Sequence, residues 1–207
     1  MIHNQPSNPN LSCLYIVRQI LLMAKRLVVG ITGSSGAILG IRALEALRKA
    51  GVETHLVITD TARKVIADET GWKPEDVERL ATKAYHIDDF FAPIASGSFK
   101  TDGMIVIPCS MKTLAGIATG YASNLLIRAA DVMLKEGRKL VLVAREMPLS
   151  LVHIRNMEAA TQAGAVILPP MMTFYSKPSG LEDMVSHVIG KALDQFGIET
   201  GYKRWHD

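Results

Sequence analysis

Three short segments combine small residues, hydroxyls and charge in a way that can hold an anion. Gly33-Ser34-Ser35-Gly36-Ala37 follows an apolar run and opens an amphipathic one. Small residues there let the backbone approach a ligand, and the N–H groups of a helix start attract a phosphate or a flavin edge. Pro108-Cys109-Ser110-Met111-Lys112-Thr113 sets two hydroxyls and an ammonium at another helix start, which suits phosphate or ring oxygens. Arg145-Glu146-Met147-Pro148 ends a third apolar run with a charged pair. Arg145 can clamp a phosphate through two parallel hydrogen bonds, and Glu146 can transfer a proton. The competing readings are a tight turn without a ligand at Gly33 and a solvated ion pair at Arg145-Glu146.

Further candidates are more ordinary in type. Thr59 can cap the next helix or donate to a phosphate, and capping is the more frequent role. Ser96-Gly97-Ser98 is a small polar turn that can face the same crevice. Arg128 and Lys135 lie two helical turns apart and so share a face, a pattern that more often marks a solvated surface. Met171-Met172-Thr173-Phe174-Tyr175 is apolar for a loop and must cover a ligand or meet another subunit. Cys109 is flanked by apolar residues with no His nearby, which favours a structural thiol over a nucleophile.

Several familiar site classes are excluded. Position 35 is Ser where a dinucleotide fingerprint needs Gly, and no Lys-Ser/Thr follows to make a P-loop. Ala37 breaks the nucleophile-elbow pattern G-x-S-x-G. No tyrosine is followed four residues later by lysine, as a short-chain reductase would need. Neither of the two cysteines sits in a metal-ligand spacing.

The elements that must position these residues alternate. Strands are expected at Arg26–Thr32, Glu53–Thr59, Met104–Pro108, Lys139–Ala144 and Ala165–Leu168, each short and almost continuously apolar, as strands covered on both faces must be. Helical patterns occupy Ala37–Ala50, Thr61–Thr70, Pro74–Ala84, Leu114–Gly120, Asn124–Glu136, Leu151–Ala163 and Leu181–Phe196. Gly51, Gly137, Gly164 and Gly197 each stand just past a helix, where a left-handed cap is expected. Such alternation argues an α/β fold built on a doubly wound parallel sheet, whose ligands bind outside the carboxyl ends of the strands.

The 207 residues, 48% hydrophobic and 21% charged, suit one domain with a buried core. A net charge of +3 is too mild to argue for nucleic acid. Residues 1–24 read as an N-terminal extension or a misplaced start, with Met23 as an alternative first residue, and residues 25–207 as the single domain. The apolar stretch Leu11–Met23 is too short to span a bilayer and lacks the preceding positive charge of a signal peptide. A cytoplasmic protein, neither in a membrane nor disulfide-bonded, is expected.

Ser96-Gly97-Ser98, Pro108 to Ala115, Arg128-Ala129-Ala130-Asp131 with Lys135, Arg145-Glu146-Met147-Pro148 and Phe174-Tyr175, in this order, resemble the flavin prenyltransferase family. That family is also described as the UbiX or Pad-type partner of aromatic-acid decarboxylases. The likeness runs from about Arg26 to Trp205. It implies a Rossmann-like, flavodoxin-like three-layer sandwich that binds FMN and assembles as a homo-oligomer, a dodecamer. The implied reaction attaches a dimethylallyl group from dimethylallyl phosphate or pyrophosphate to N5 and C6 of reduced FMN. The product, prenylated FMN, serves a UbiD-type decarboxylase.

Carried over by position, Gly33, Ser34, Ser35, Thr59, Ser110, Met111, Lys112, Thr113 and Arg145 would hold FMN. Ser96, Arg128, Lys135, Glu146, Tyr175 and Lys191 would hold the prenyl donor, some from neighbouring subunits. Ser35, Glu69 and Glu146 would assist catalysis. The chain departs from the pattern at Lys191, where some members carry Arg, at Ala144, where Pro often stands, and at Phe90, where some members place Trp. Prenyl transfer without a metal is expected. The alternatives are an FMN-dependent decarboxylase acting on a phenolic acid or on cysteine, and a non-enzymatic FMN carrier. The decarboxylase of the cysteine type would want a His base at a strand end, and the surplus of cations weighs against the carrier.

Overall fold

The computed structural model describes residues 25–205. Six strands form one sheet in the order β3-β2-β1-β4-β5-β6, and every pairing is parallel. They are β1 (Arg26–Ile31), β2 (Glu53–Ile58), β3 (Lys83–Tyr85), β4 (Gly103–Cys109), β5 (Lys139–Ala144) and β6 (Ala165–Ile167). The helices are α1 (Ala37–Lys49), α2 (Asp60–Glu69), α3 (Pro74–Glu78), α4 (Met111–Thr119), α5 (Leu125–Lys135), α6 (Leu151–Gln162) and α7 (Leu181–Asp194).

Alternate residues of each strand feed two separate cores, as the two-residue period of a pleated strand requires. Leu27, Val29 and Ile31 of β1 pack with α1, α2 and α7. Val28 faces the other way, into the core under α4, α5 and α6. Both faces of the sheet are therefore covered, which is why the strands read as unbroken apolar runs. Gly51, Gly137, Gly164 and Gly197 all take positive φ just past their helices, as expected of left-handed caps.

Two expectations are corrected. Pro74–Ala84 is not one helix: α3 stops at Glu78, and the chain turns to lay β3 beside β2. The Thr54 N–H donates to Thr82 Oγ1 at 3.0 Å and the Thr82 N–H to Thr54 Oγ1 at 3.1 Å, a reciprocal tie that local helix pattern does not encode. The helix expected from Leu114 starts three residues earlier, at Met111, because Ser110 caps it. The proposed extension 1–24 lies outside the described residues.

Strand order turns back between β1 and β4, so the connections leaving these neighbours run to opposite sides of the sheet. A crevice opens at their carboxyl ends, where ligands of such folds bind.

Candidate functional site

Thr32 stitches the floor of that crevice. Its fully buried hydroxyl donates to the Pro108 carbonyl at 2.8 Å and accepts the Ser110 N–H, also at 2.8 Å. The Ser110 side chain in turn accepts the Thr113 N–H and caps α4. Thr59 caps α2 by accepting the Ala62 N–H, and Asn124 caps α5 by accepting the Ile127 N–H. The capping role anticipated for Thr59 is thus present. These starts gather around a cavity of about 470 Å³ whose walls include Gly33, Thr59, Ser110, Lys112 and Thr113.

Gly33 is fixed by packing: a Cβ there would run into the Thr61 side chain at the start of α2. Ser34 Oγ is buried without a protein partner, and a buried hydroxyl is costly unless something satisfies it. Gly36, at φ 97°, is the left-handed residue that precedes α1. Its N–H donates to Glu69 Oε2 at 2.8 Å. Partial burial works against ionising Glu69, but hydrogen bonds from the Gly36 N–H, the Ser35 hydroxyl and the Ala37 N–H, with the Arg145 charge nearby, outweigh it and hold the carboxyl below its usual range. Ser35 and Glu69 thus meet at the amino end of α1, with the Arg145 charge close enough to favour the Glu69 carboxylate.

The β5 end supplies Arg145, whose N–H donates to the Cys109 carbonyl at 3.0 Å, and Glu146, which accepts the Met147 N–H at 3.0 Å. Both side chains are exposed. Met111 and Lys112 stand in the first turn of α4, not in a loop.

A second polar corner lies on the α5 side. Arg128 Nε donates to the Ala95 carbonyl at 3.1 Å and Nη1 to Asp131 at 2.6 Å. Ser96 Oγ accepts the Ser98 N–H at 3.3 Å. Lys135 Nζ sits 2.6 Å from Glu136 Oε1, and Glu136 lies directly over Gly97. Ser96, Arg128 and Lys135 therefore meet in one chain. Thr32, Glu136 and Arg138 join these contacts without a local motif to mark them, whereas Asn124 before an apolar stretch is a legible cap signal.

Tyr175 and Lys191 fall elsewhere. Lys191 is on α7, in the layer across the sheet from α5, so one chain does not bring it to Arg128 and Lys135. Tyr175 hydrogen-bonds to His187 Nε2 at 3.2 Å, and its ring meets Trp205 edge-on at 4.9 Å. Burial first, then the Lys191 charge, lowers the His187 pKa, which places Lys191 electrostatically beside the Tyr175 partner. A larger cavity of about 660 Å³ beside α1 and α7 contains none of the named candidates.

Cys109 is fully buried, and burial pushes its thiol up to about 12, as expected for a structural cysteine. Among the described residues no group of three or more His, Cys, Asp or Glu is placed to hold a metal. No described helix is long and apolar enough to cross a membrane.

A flavodoxin-like, Rossmann-type sheet with hydroxyls, glycines and helix starts around its switch point defines a protein built to hold a phosphorylated flat ring. The sequence profile of the family described as Flavoprotein matches residues 20–193. A Sedimentibacter hydroxybenzoicus protein named "Probable UbiX-like flavin prenyltransferase" is 58% identical over 182 residues, 87% of this chain and 96% of that protein. The chain belongs to the UbiX-like flavin prenyltransferase family. Among solved structures, AnUbiX (PadA1) in complex with FMN and dimethylallyl pyrophosphate superposes with a TM-score of 0.88 at 52% identity, covering 89% of this chain and 98% of that one. A dodecameric FMN-dependent UbiX-like decarboxylase from Escherichia coli O157:H7 gives a TM-score of 0.86 at 54% identity, covering 88% and 100%.

Proposed function

We propose that this protein transfers a dimethylallyl group from dimethylallyl phosphate or pyrophosphate to N5 and C6 of reduced FMN, making prenylated FMN for a UbiD-type decarboxylase. The carrying observation is a second polar corner outside the crevice at the strand ends, Ser96 with Arg128 and Lys135, where three cations (Arg128, Lys135 and Arg138) outnumber the two carboxylates paired with them, Asp131 and Glu136. A flavin carrier needs one anion site; a transferase from a phosphorylated donor needs two.

The crevice suits FMN. Ser34 Oγ supplies a buried group without a partner, and the missing side chain at Gly33 lets Thr61 pack close against the crevice wall. At about 470 Å³ the cavity falls within the roughly 300–1,000 Å³ of small-molecule pockets. Gly33, Ser34, Ser35, Thr59, Ser110, Met111, Lys112, Thr113 and Arg145 would hold the flavin. When bound, FMN supplies the electron-rich N5 and C6 that accept the prenyl carbons.

The protein's own task is to help the donor ionise and to keep water away. As the allylic C–O bond breaks, the electron pair leaves with the phosphate. Arg128, Lys135 and the Ser96 hydroxyl hold that growing negative charge, worth several kcal/mol in a site shut from water. Tyr175 would lend a ring face to the allyl cation, about 0.5–2 kcal/mol of cation–π attraction. Closing the ring onto C6 would add a proton to the remaining prenyl double bond and remove one from C6; Glu146 or the departing phosphate would move these protons, while Ser35 and Glu69 would steady the N5 side.

Tyr175 and Lys191 would reach the donor of a neighbouring subunit in a dodecamer. The exposed apolar run before Tyr175 supports such an assembly: Met171 is 70%, Met172 69% and Phe174 66% exposed, a patch of the kind that marks an interaction surface. We further propose one flavin domain over residues 25–207, with residues 1–24 as an extension, and a cytoplasmic location that the free, buried Cys109 suits.

Anaerobic incubation with reduced FMN and dimethylallyl phosphate, read by the mass of the extracted flavin, tests the reaction. A flavin heavier by one five-carbon prenyl unit, lost in Arg128→Ala and Glu146→Gln, is expected. Unmodified FMN with either the phosphate or the pyrophosphate would leave a flavin carrier or a decarboxylase acting on its own substrate.

A further inference from the structure

The donor corner depends on a residue that cannot itself touch the donor. Arg138, between α5 and β5, keeps only 12% of its side chain exposed. Its Nη2 donates to the Gly97 carbonyl at 2.6 Å and its Nη1 to the Phe99 carbonyl at 2.8 Å. Arg128 Nε holds the carbonyl two residues earlier, at Ala95, from the other side. Every second carbonyl of this loop is therefore gripped by a guanidinium, with Ser96 between two of the grips. The Phe99 ring adds a third anchor beneath the Arg26 guanidinium, 4.7 Å from its centroid.

The same arginine reaches the lysine of the corner. Arg138 Nη2 lies 3.8 Å from Glu136 Oε2, and Glu136 Oε1 lies 2.6 Å from Lys135 Nζ. Lys135, hydrogen-bonded first and then by charge, draws the Glu136 carboxyl below its usual range, with Arg138 and Lys100 helping. Glu136 covers Gly97 so closely that a side chain at 97 would collide with it. The Ser96 loop and the Lys135 ammonium are thus two sides of one interlocked piece, with Arg138 as its pin.

We propose that Arg138 is the positioning residue of the prenyl-phosphate site. It fixes the Ser96 hydroxyl by holding the Gly97 and Phe99 carbonyls that follow it, and it sets Lys135 through Glu136. The inference rests on the reading of Ser96, Arg128 and Lys135 as the donor site. A planar fork with several donors is needed, because one ammonium cannot serve two carbonyls in fixed directions. An exposed loop of small residues without those grips would lose the single geometry that phosphate binding requires.

The test uses FMN-loaded, oxidised protein and dimethylallyl phosphate binding by calorimetry, with flavin affinity and melting temperature measured alongside. Arg138→Met weakens donor binding by about tenfold or more, the scale expected of a misplaced site, while FMN affinity stays at the wild-type value. Arg138→Lys restores little, and adding Ser96→Ala to Arg138→Met costs less than it does in the wild type. Gly97→Ala, which displaces Glu136 from the opposite side, reproduces the donor defect. In steady state the KM for donor rises and kcat falls with it, because Ser96 and Lys135 also hold the charge that grows on the departing phosphate.

Unchanged donor binding in both Arg138→Met and Gly97→Ala would overturn the assignment. So would FMN affinity and melting temperature falling in step with donor affinity, since that is general destabilisation. If wild-type protein binds the donor but transfers nothing, the positioning role stands on the binding data and the proposed reaction falls.

Discussion

Thr32 and Ser110, far apart in the chain, meet at the turning point of the sheet, where the Ser110 N–H donates to the buried Thr32 hydroxyl at 2.8 Å. The same hydroxyl donates to the Pro108 carbonyl. One side chain therefore sets the spacing between the first and fourth strand ends, and with it the amino end of α4. Thr32→Val removes both bonds; the Pro108 carbonyl keeps the Thr32 N–H as donor, but the Ser110 N–H is left without its acceptor. A loss of about 1–3 kcal/mol in denaturant unfolding is expected, with weaker FMN binding because Ser110 lines the crevice.

Gly33 tests whether the crevice is shaped by close packing. Gly33→Ala drives a methyl into Thr61, and overpacking of this kind costs typically about 1–3 kcal/mol. Flavin fluorescence titration is expected to show weaker FMN binding. Thr61→Gly, which removes the colliding atoms, should recover much of the loss in the double variant; an additive double variant would count against the packing argument.

His55 predicts a pH dependence unrelated to the reaction. It is buried, hydrogen-bonded to Tyr85 at 2.7 Å and to Glu53 at 2.9 Å. Burial lowers its pKa below the ordinary 6.5, and the Glu53 bond and charge only partly oppose this. A histidine lowered by folding contributes stability fully above its unfolded pKa and loses it as the pH falls toward the folded one. Unfolding free energy should decline as the pH drops from about 6.5, and His55→Gln should flatten that slope. An equal slope in the variant would assign it to other groups.

Cys109 should be inert. With its thiol pushed up to about 12, almost no thiolate exists at neutral pH. Iodoacetamide at pH 8 is expected to leave Cys109 unmodified in the folded protein, as read by peptide mass, and to label it after denaturation. Cys109→Ser should retain prenyl transfer; its loss would reopen the nucleophile reading.

Much of the architecture was legible because it rests on local chemistry. β5 ends where the apolar run ends, the four glycine caps take positive φ, and Thr59 begins a helix as a short hydroxyl residue does. β3 was not legible. Its three residues include an exposed lysine, and its pairing depends on Thr54 and Thr82 finding each other across the fold. Short edge strands carry little pattern of their own.

The sequence by itself determined the alternating elements, the apolar strands covered on both faces and the residue types at each strand end. Periodicity, capping and side-chain chemistry are properties of neighbouring residues, so a linear reading captures them. Only the tertiary structure decided that Thr32 joins Ser110, that Arg138 grips the Ser96 loop, and that Lys191 lies across the sheet from Arg128. Those relationships depend on strand order and on which side each connection crosses, and burial makes their hydrogen bonds obligatory only once the chain has folded.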